Sequence, residues 1–214
     1  MKTKLFLSSA TLILSLALAC LGETNNYVLN PTRVQPLEKG ASIPPVEVRT
    51  MAGEMVDLKD HIQNKPSILI FYRGGWCPYC NTHLSEIQAI EGKLLEYGVE
   101  IYAISPDRPE LLAETSEAIQ LSYTLLSDSS ASAIRAFGLA FQVEQSLVDK
   151  YKNSYGIDLE ADSGETHHLL PVPAYFLVNA SGLIVDSHFD PDYKSRVKST
   201  QVLTQVKTLF ELHS

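Results

Sequence analysis

The feature that most constrains the fold is a buried-strand pattern that leads into a C-x-x-C motif and then a helix. Residues Ser67–Tyr72 form a continuous run of strand-forming, mostly apolar residues, which is typical of a central strand covered on both faces. Cys77 and Cys80 follow it, and residues 80–96 carry apolar side chains at helical spacing. This order places the sulfurs at a helix N-terminus, where unpaired N–H groups and the macrodipole stabilise a thiolate. Pro78 suits the first helical position, where its missing N–H costs nothing.

The cysteine pair has three possible roles besides redox chemistry. A zinc site would need further ligands, and His83, His167 and His168 match no metal spacing. A structural disulfide rarely closes so short a loop, and two inert buried thiols are possible because Cys is often buried. The agreement of strand, motif and helix favours redox chemistry, and we expect no cofactor and no metal. His83 is expected on the helix surface, and the other two histidines are expected in a loop.

The rest of the chain alternates between short strand and helix patterns. Its order predicts an α/β domain with a central mixed β-sheet flanked by helices on both faces. Residues 179–182 carry a hairpin signal between the last two strands. The expected strands are 46–49, 54–57, 99–104, 123–126, 174–178 and 183–188, and the expected helices after the motif helix are 110–120, 130–137 and 201–212.

The N-terminus has the pattern of an export signal. Residues 1–19 combine a short basic start with an uncharged apolar run, shorter than the roughly 20 residues of a spanning helix. Ala17-Leu18-Ala19 is a cleavage-site pattern, and Cys20 directly after it resembles a bacterial lipobox. Lipidation of Cys20 is therefore a hypothesis, with an ordinary mature N-terminal cysteine as the alternative. Export predicts the cell envelope or periplasm, an oxidising compartment in which cysteine pairs close unless something reduces them.

The remaining domain boundaries follow from composition. Residues 20–42 are mostly polar and without periodicity, which predicts a flexible tether, and residues 43–212 are expected to form the folded domain. The formal net charge of −8 argues against general binding to nucleic acid or to an anionic membrane surface.

The segment Phe71–Cys80 resembles the peroxiredoxin-like branch of the AhpC/TSA family, within the thioredoxin-like superfamily. The resemblance extends over about residues 43–210 and implies a thioredoxin-like fold. Weaker blocks fall in the expected order at Tyr102–Asp107, Leu126–Asp128, Arg135–Leu139, Val172–Val178 and Asp190–Tyr193. The last of these blocks is expected to be a turn.

The resemblance implies two different divisions of labour between the cysteines. In peroxiredoxins the nucleophile is the ninth residue after the Phe, here Cys80, and the family's supporting Pro, Thr and Arg are replaced by Arg73, Cys77 and Pro173. Arg73 is a candidate for the missing positive charge. In thioredoxins the first cysteine, Cys77, attacks, the second resolves, and a cis proline faces the pair; Pro173 is expected to be that proline. Trp76 would shield the sulfurs or bind substrate, or else be a packing aromatic.

Three functional hypotheses follow. The first is an exported thiol peroxidase: Cys80 reduces a hydroperoxide, and a thioredoxin-like or other dithiol protein then reduces the Cys77–Cys80 disulfide. The second is a thioredoxin-like protein disulfide oxidoreductase in which Cys77 attacks and Cys80 resolves. The third is a non-catalytic binding module of the envelope, which would leave a C-x-x-C pair at a helix start without a use.

Overall fold

Strands and helices alternate along the computed structural model, which describes residues 26–62 and 64–211. The strands are β1 (Glu47–Arg49), β2 (Met55–Asp57), β3 (Ser67–Phe71), β4 (Glu100–Ser105), β5 (Thr124–Ser127), β6 (Ala140–Gln142), β7 (Leu169–Pro171), β8 (Ala174–Val178) and β9 (Ile184–Phe189). The α-helices are α1 (Leu58–His61), α2 (Pro78–Gln88), α3 (Glu91–Glu96), α4 (Pro109–Ile119), α5 (Ser132–Ala136), α6 (Gln145–Lys150), α7 (Leu159–Ser163) and α8 (Ser199–Glu211). A 3₁₀ turn covers Pro31–Arg33, and a π-helical turn covers Tyr151–Tyr155.

The main sheet has seven strands in the order β2-β1-β5-β4-β3-β8-β9. Strand β3 lies inside it, parallel to β4 and antiparallel to β8, and all five of its residues are buried. A central strand becomes this apolar when both faces of the sheet are covered. The predicted mixed sheet is therefore confirmed, as is the hairpin between β8 and β9.

Alternate residues of β3 belong to two separate cores. Leu69 and Phe71 belong to a cluster that we call the apolar face, which includes Ile134 of α5, Phe137 and Phe176. The next residues along the strand point the other way, into a cluster that we call the cysteine face. The cysteine face contains Ile68, Ile70, Tyr72, Cys77, Cys80 and Tyr175, and it is covered by residues of α2, α4 and α8.

The N-terminal part of the described chain packs against the apolar face. The backbone N–H of Val28 donates to Ala140 O at 3.1 Å, and that of Leu37 donates to Phe137 O at 3.1 Å. Tyr27, Leu37 and Ala41 supply the apolar contacts. The prediction of a flexible tether over 20–42 is wrong for residues 26–42, because these scattered apolar side chains and backbone bonds offset the entropy of ordering them. The proposed signal peptide, the cleavage site, Cys20 and residues 21–25 lie outside the described residues.

Two further differences concern element boundaries. The helix predicted over 80–96 is divided into α2 and α3 at residues 89–90, where Ile90 N–H bonds to Ile87 O and tightens the turn. Between residues 140 and 171 the sequence patterns missed β6, α6, α7 and β7, each too short for periodicity to show. His167 and His168 lie in a loop, as predicted. Within residues 26–62 and 64–211, no helix has the length and apolar character needed to cross a membrane.

Candidate active site

The C-x-x-C motif begins helix α2, as the sequence predicts. Cys77 is the N-cap residue, with extended backbone, and Pro78 follows at the start of the helix. The carbonyl oxygen of Cys77 accepts the N–H groups of Cys80 and Asn81, each at 3.0 Å. Cys80 therefore lies in the first helical turn, at the positive end of the helix macrodipole.

The two sulfurs form one buried reacting centre. Cys77 Sγ and Cys80 Sγ lie 2.7 Å apart, both thiols are free, and each residue is only 1% exposed. The thiol of Cys80 donates its proton toward the sulfur of Cys77. A thiolate on Cys77 therefore accepts a hydrogen bond from the Cys80 thiol, the same group that can later attack Cys77 to close the disulfide.

The pKa of the Cys77 thiol is lowered to about 6. The largest cause is the hydrogen bond from the Cys80 thiol; burial opposes it, and the Cys80 backbone and the charges of Arg73 and Arg196 lower the pKa further. The pKa of Cys80 is raised well above its ordinary value, first by burial and then by the hydrogen bond to Cys77. Thiolate character therefore resides on Cys77 at neutral pH, while Cys80 keeps its proton.

Arg196, a residue that the sequence reasoning missed, contacts the reacting pair directly. It lies in the loop between β9 and α8, and its Nη2 is 3.4 Å from Cys80 Sγ. Its Nη1 donates to the carbonyl oxygens of Tyr193 at 2.5 Å and Ser195 at 2.6 Å. These bonds fix the guanidinium group. Its charge reaches the sulfurs from the loop between β9 and α8, whereas the arginine that the family resemblance implies would stand at the position of Pro173. The nearby Asp190–Tyr193 block was the available signal, and Tyr193 does lie in the predicted turn.

Arg73 is the second positive charge of the site, as the sequence suggested. It is 5% exposed, and its Nη2 donates to the hydroxyl of Tyr151 at 2.5 Å. Its guanidinium carbon lies 4.8 Å from the ring centre of Trp76 and 4.4 Å from that of Tyr193. Aromatic faces hold the cation in place. Trp76 also packs on Tyr151, with ring centres 5.8 Å apart, so it is a packing aromatic that positions Arg73.

The turn before Cys77 is held by a buried carboxylate that the sequence did not indicate as functional. Asp107 Oδ2 accepts the N–H of Gly75 at 2.8 Å and the hydroxyl of Ser105 at 3.1 Å. A Cβ atom at Gly75 would lie 2.0 Å from Thr115 Oγ1, so only glycine fits this turn. Burial raises the pKa of Asp107 to about 7, against the opposing effect of these two hydrogen bonds.

Two expectations for residues around the pair are wrong. The described residues contain no cis peptide bond, so the bond before Pro173 is trans; the residue directly precedes β8, where a proline displaces no ladder hydrogen bond. His83 is 4% exposed rather than on the surface, because it faces the segment around Val197. Burial, reinforced by the charge of Arg196, lowers the pKa of His83 to about 4. His83, Pro173 and Arg196 line one small cavity.

Comparison with known proteins places this geometry in a family. Residues 40–187 match the model of the AhpC/TSA family. The chain belongs to the AhpC/TSA family. Peroxiredoxin Bcp of Escherichia coli K12 is 30% identical over 106 residues, which cover 50% of this chain and 67% of the relative. The thiol-disulfide oxidoreductase ResA of Halalkalibacterium halodurans is 29% identical over 90 residues, covering 42% of this chain and 50% of that protein.

Solved structures confirm the thioredoxin-like fold. Peroxidoxin BcpB of Mycobacterium tuberculosis aligns with a TM-score of 0.62 at 17% identity, over 81% of this chain and 98% of that one. Peroxiredoxin Q of Xanthomonas campestris aligns with a TM-score of 0.60 at 20% identity, over 80% of this chain and 96% of that one. Family membership and the C-x-x-C site together make this chain a thiol-dependent peroxidase or thiol–disulfide oxidoreductase.

Proposed function

We propose that this protein reduces hydroperoxides with Cys77 as the attacking thiolate and Cys80 as the resolving thiol. The observation that carries the proposal is the hydrogen bond between the two buried sulfurs, 2.7 Å apart, in which the Cys80 thiol donates to Cys77. The lowered pKa of Cys77 and the raised pKa of Cys80 agree with this direction. The thiolate, not the thiol, is the nucleophile. This is the order of attack of our second sequence hypothesis, combined with the substrate of the first.

The cycle balances in two steps. The Cys77 thiolate attacks one peroxide oxygen, the O–O bond breaks, and the leaving oxygen takes a proton from solvent, which yields an alcohol or water and a sulfenic acid on Cys77. The Cys80 sulfur, 2.7 Å away, then displaces hydroxide from that sulfenic acid, and the Cys80 proton leaves with it as water. An external dithiol protein returns the Cys77–Cys80 disulfide to the dithiol by thiol–disulfide exchange.

Burial of the pair supports a small substrate. With each cysteine only 1% exposed, a small hydroperoxide reaches the sulfurs more readily than the disulfide of a folded protein does, and reduction by a dithiol protein requires the pair to become accessible once it is oxidised. The positive charges of Arg73 and Arg196 favour the attacking thiolate and would stabilise the charge that develops on the leaving oxygen. Peroxiredoxin Bcp also aligns with this chain over more residues than the oxidoreductase ResA does.

The proposal is tested with the variants Cys77→Ser and Cys80→Ser. Reduced wild-type protein should react with hydrogen peroxide orders of magnitude faster than the same protein unfolded in urea. Cys80→Ser should stop at a sulfenic acid on Cys77, captured by a dimedone-type reagent and located by peptide mass spectrometry, and Cys77→Ser should react like the unfolded thiol. A fast Cys77→Ser variant labelled on Cys80 would establish the reverse order. A wild-type rate no faster than that of the unfolded protein would exclude a peroxidase.

Thiol–disulfide exchange with other proteins is a second candidate, favoured by one observation. The cysteine with the lowered pKa is the first of the C-x-x-C pair, which is the division of labour in thioredoxins. A mixed disulfide on Cys77, trapped in Cys80→Ser and cleared in the wild type, would support this activity. Lack of reaction with any protein disulfide, together with fast peroxide reduction, would restrict the protein to the first function.

Export is a proposal that rests on the sequence of residues 1–20 alone. The basic start, apolar run and cleavage pattern before Cys20 support removal of residues 1–19 and lipidation of Cys20. Intact mass of the protein purified from bacterial membranes should show Cys20 as the first residue, with attached acyl chains. A mature protein that starts at Cys20 without lipid would support plain secretion, and retention of residues 1–19 would contradict export by this signal.

A further inference from the structure

Exposed tyrosines and a lysine surround the buried cysteine pair. Tyr79 lies between the two cysteines of the motif and is 45% exposed, and its ring packs edge-on against that of Tyr193, with ring centres 5.8 Å apart. Tyr193 is 39% exposed. The Nζ atom of Lys194 lies 6.0 Å from the ring centre of Tyr79 and 5.9 Å from that of Tyr193. The motif therefore presents two aromatic rings and a cation to solvent, although its sulfurs are buried.

This surface continues past Arg73 to helix α6. The ring of Tyr193 packs on the guanidinium group of Arg73, which also bonds to the hydroxyl of Tyr151. The ring of Tyr151 lies 6.4 Å from that of Tyr155, which is 60% exposed and has the Nζ atom of Lys150 5.8 Å from its centre. We call the exposed members of this series the tyrosine–lysine strip: Tyr79, Tyr193, Lys194, Tyr155 and Lys150.

The two lysines of the strip are available to a partner. Both are exposed, and no carboxylate of residues 26–62 or 64–211 forms an ion pair with Lys150 or Lys194. Asp190 and Asp192, in the same loop as Lys194, instead accept the backbone N–H groups of Asp192 and Lys194 at 2.9 and 3.0 Å. The ammonium groups therefore remain free to meet anionic side chains of another molecule.

The strip suits a protein surface rather than a small molecule. Sites for small molecules are concave, whereas the three tyrosines of the strip are 39 to 60% exposed and lie on open surface. Tyrosine is enriched at protein interfaces, where its ring supplies a large contact area. The proposed cycle requires one protein at this place, because a dithiol reductant must bring its sulfur to the Cys77–Cys80 pair, and Tyr79 belongs to the same motif.

We propose that the tyrosine–lysine strip is the docking surface of the dithiol protein that reduces the Cys77–Cys80 disulfide, and that this partner carries acidic side chains around its own cysteines. This inference rests on the cycle proposed above. A partner thiolate attacks one sulfur of the pair, the S–S bond breaks, and the other cysteine leaves as a thiolate. The second partner thiol then displaces the first. The partner is thereby oxidised to a disulfide, while two electrons and two protons pass to the cysteine pair.

The test measures the reduction of a disulfide that diamide has closed, so that no peroxide takes part. The probes are two synthetic C-x-x-C dithiol peptides of equal length, one flanked by glutamates and one by lysines, and dithiothreitol is the small uncharged reference. The fluorescence of Trp76 follows each rate. In the double variant Lys150→Gln/Lys194→Gln, we expect the glutamate peptide to react roughly threefold more slowly than with wild type, the size of an exposed ion pair. The lysine peptide should react faster, and dithiothreitol should react at the wild-type rate.

Two controls show whether the effect belongs to the strip. Lys93→Gln, at an exposed lysine of α3, should leave all three rates unchanged. The loss with the glutamate peptide should disappear in 1 M NaCl, where the Debye length is about 3 Å.

Three results would overturn the inference. The first is an unchanged rate of the glutamate peptide in the double variant, and the second is an equal loss with dithiothreitol. The third is slower oxidation by a carboxylate-bearing organic hydroperoxide with unchanged peptide rates, which would assign the strip to the oxidant. Because the peptide rates need no peroxide, a protein that fails to reduce hydroperoxides can still confirm the docking surface, and an active peroxidase can refute it.

Discussion

The two faces of the central sheet are built from the same strands but for different purposes. On the apolar face, the rings of Phe71, Phe137 and Phe176 pack on one another with centres 4.7 to 5.9 Å apart. On the cysteine face, the buried groups include two thiols and the hydroxyl of Tyr175, which has no hydrogen-bond partner among the described residues. Buried polar groups without partners cost free energy.

The difference teaches where this chain carries stability and where it carries chemistry. Alternate residues of β3 contribute to both, since Leu69 and Phe71 point to one face and Ile68, Ile70 and Tyr72 to the other. The apolar face is stabilised by the packing of apolar side chains. The cysteine face, in contrast, also buries charged and proton-donating groups around Cys77. Perturbed pKa values gather at such sites. Substitutions on the two faces should therefore separate stability from thiolate chemistry.

The largest expected effect comes from the apolar face. Phe137→Ala removes a ring from its centre and should lower the free energy of unfolding by about 3–5 kcal/mol, the range for truncating a buried Phe. Denaturant unfolding measures this loss, and Phe137→Leu should lose distinctly less. The folded form of either variant should show the same titration midpoint for the Cys77 thiolate as the wild type. A shifted thiolate titration would show that the two faces are not independent.

His83 should give the next largest effect, and only in acid. Its folded pKa of about 4 lies below its ordinary value of 6.5, so unfolding takes up a proton between these values. The stabilising contribution of the neutral ring is present above pH 6.5 and is lost as the pH falls toward 4, on the order of 3 kcal/mol in all. His83→Leu should remove this part of the acid destabilisation, relative to wild type. The exposed His61 offers a matched substitution, His61→Leu, whose unfolding is measured beside that of His83→Leu at each pH.

Cys80 should control the reactivity of Cys77 through its hydrogen bond. Cys80→Ala removes the largest cause of the lowered pKa of Cys77, so the thiolate titration should move to higher pH and alkylation by iodoacetamide at pH 7 should slow roughly tenfold or more. Cys80→Ser retains a hydroxyl donor and should fall between that variant and the wild type. Equal titrations in all three proteins would mean that Cys80 does not control the pKa of the Cys77 thiol.

Arg196 should give a smaller shift of the same sign. Arg196→Met removes a positive charge that lowers the pKa of both Cys77 and His83, so alkylation of Cys77 below pH 7 should slow by about threefold. The His83 titration, followed by proton NMR, should move to higher pH in the same variant. Arg108→Met, a change at a half-exposed arginine 3.9 Å from Glu110, should shift neither group. Unchanged titrations in Arg196→Met would show that the charge of Arg196 influences neither Cys77 nor His83.

Local patterns in the sequence predicted the scaffold of the site. The run Ser67–Tyr72, the motif after it and the helix spacing beyond it are each visible within a few residues, and the strand, the motif and the start of the helix appear where they were expected. Pro78 at the helix start was found in the same way, whereas Arg73 beside the pair was a candidate only through the family resemblance. These features depend on neighbours along the chain, which a single sequence displays.

The residues that were missed depend on neighbours in space. Arg196 reaches Cys80 across 116 positions of the chain, and Asp107 reaches Gly75 across 32. Neither periodicity nor spacing along the chain indicates such pairs. In the sequence, Asp107 stood out only as part of a weak family block. The burial of His83 and the packing of residues 26–42 were missed for the same reason, since helix spacing or polarity alone does not reveal what will cover a residue.

The central claim is that Cys77 is a preformed thiolate nucleophile on the cysteine face. The most direct test follows the oxidation of the reduced protein by hydrogen peroxide between pH 5 and 9, using the fluorescence of Trp76, the one tryptophan of the chain. The account predicts a rate that rises through a midpoint near pH 6 and is level above pH 7, far above that of the urea-unfolded protein. A midpoint at the ordinary thiol pKa of about 8.5, or a rate equal to that of the unfolded protein, would contradict it.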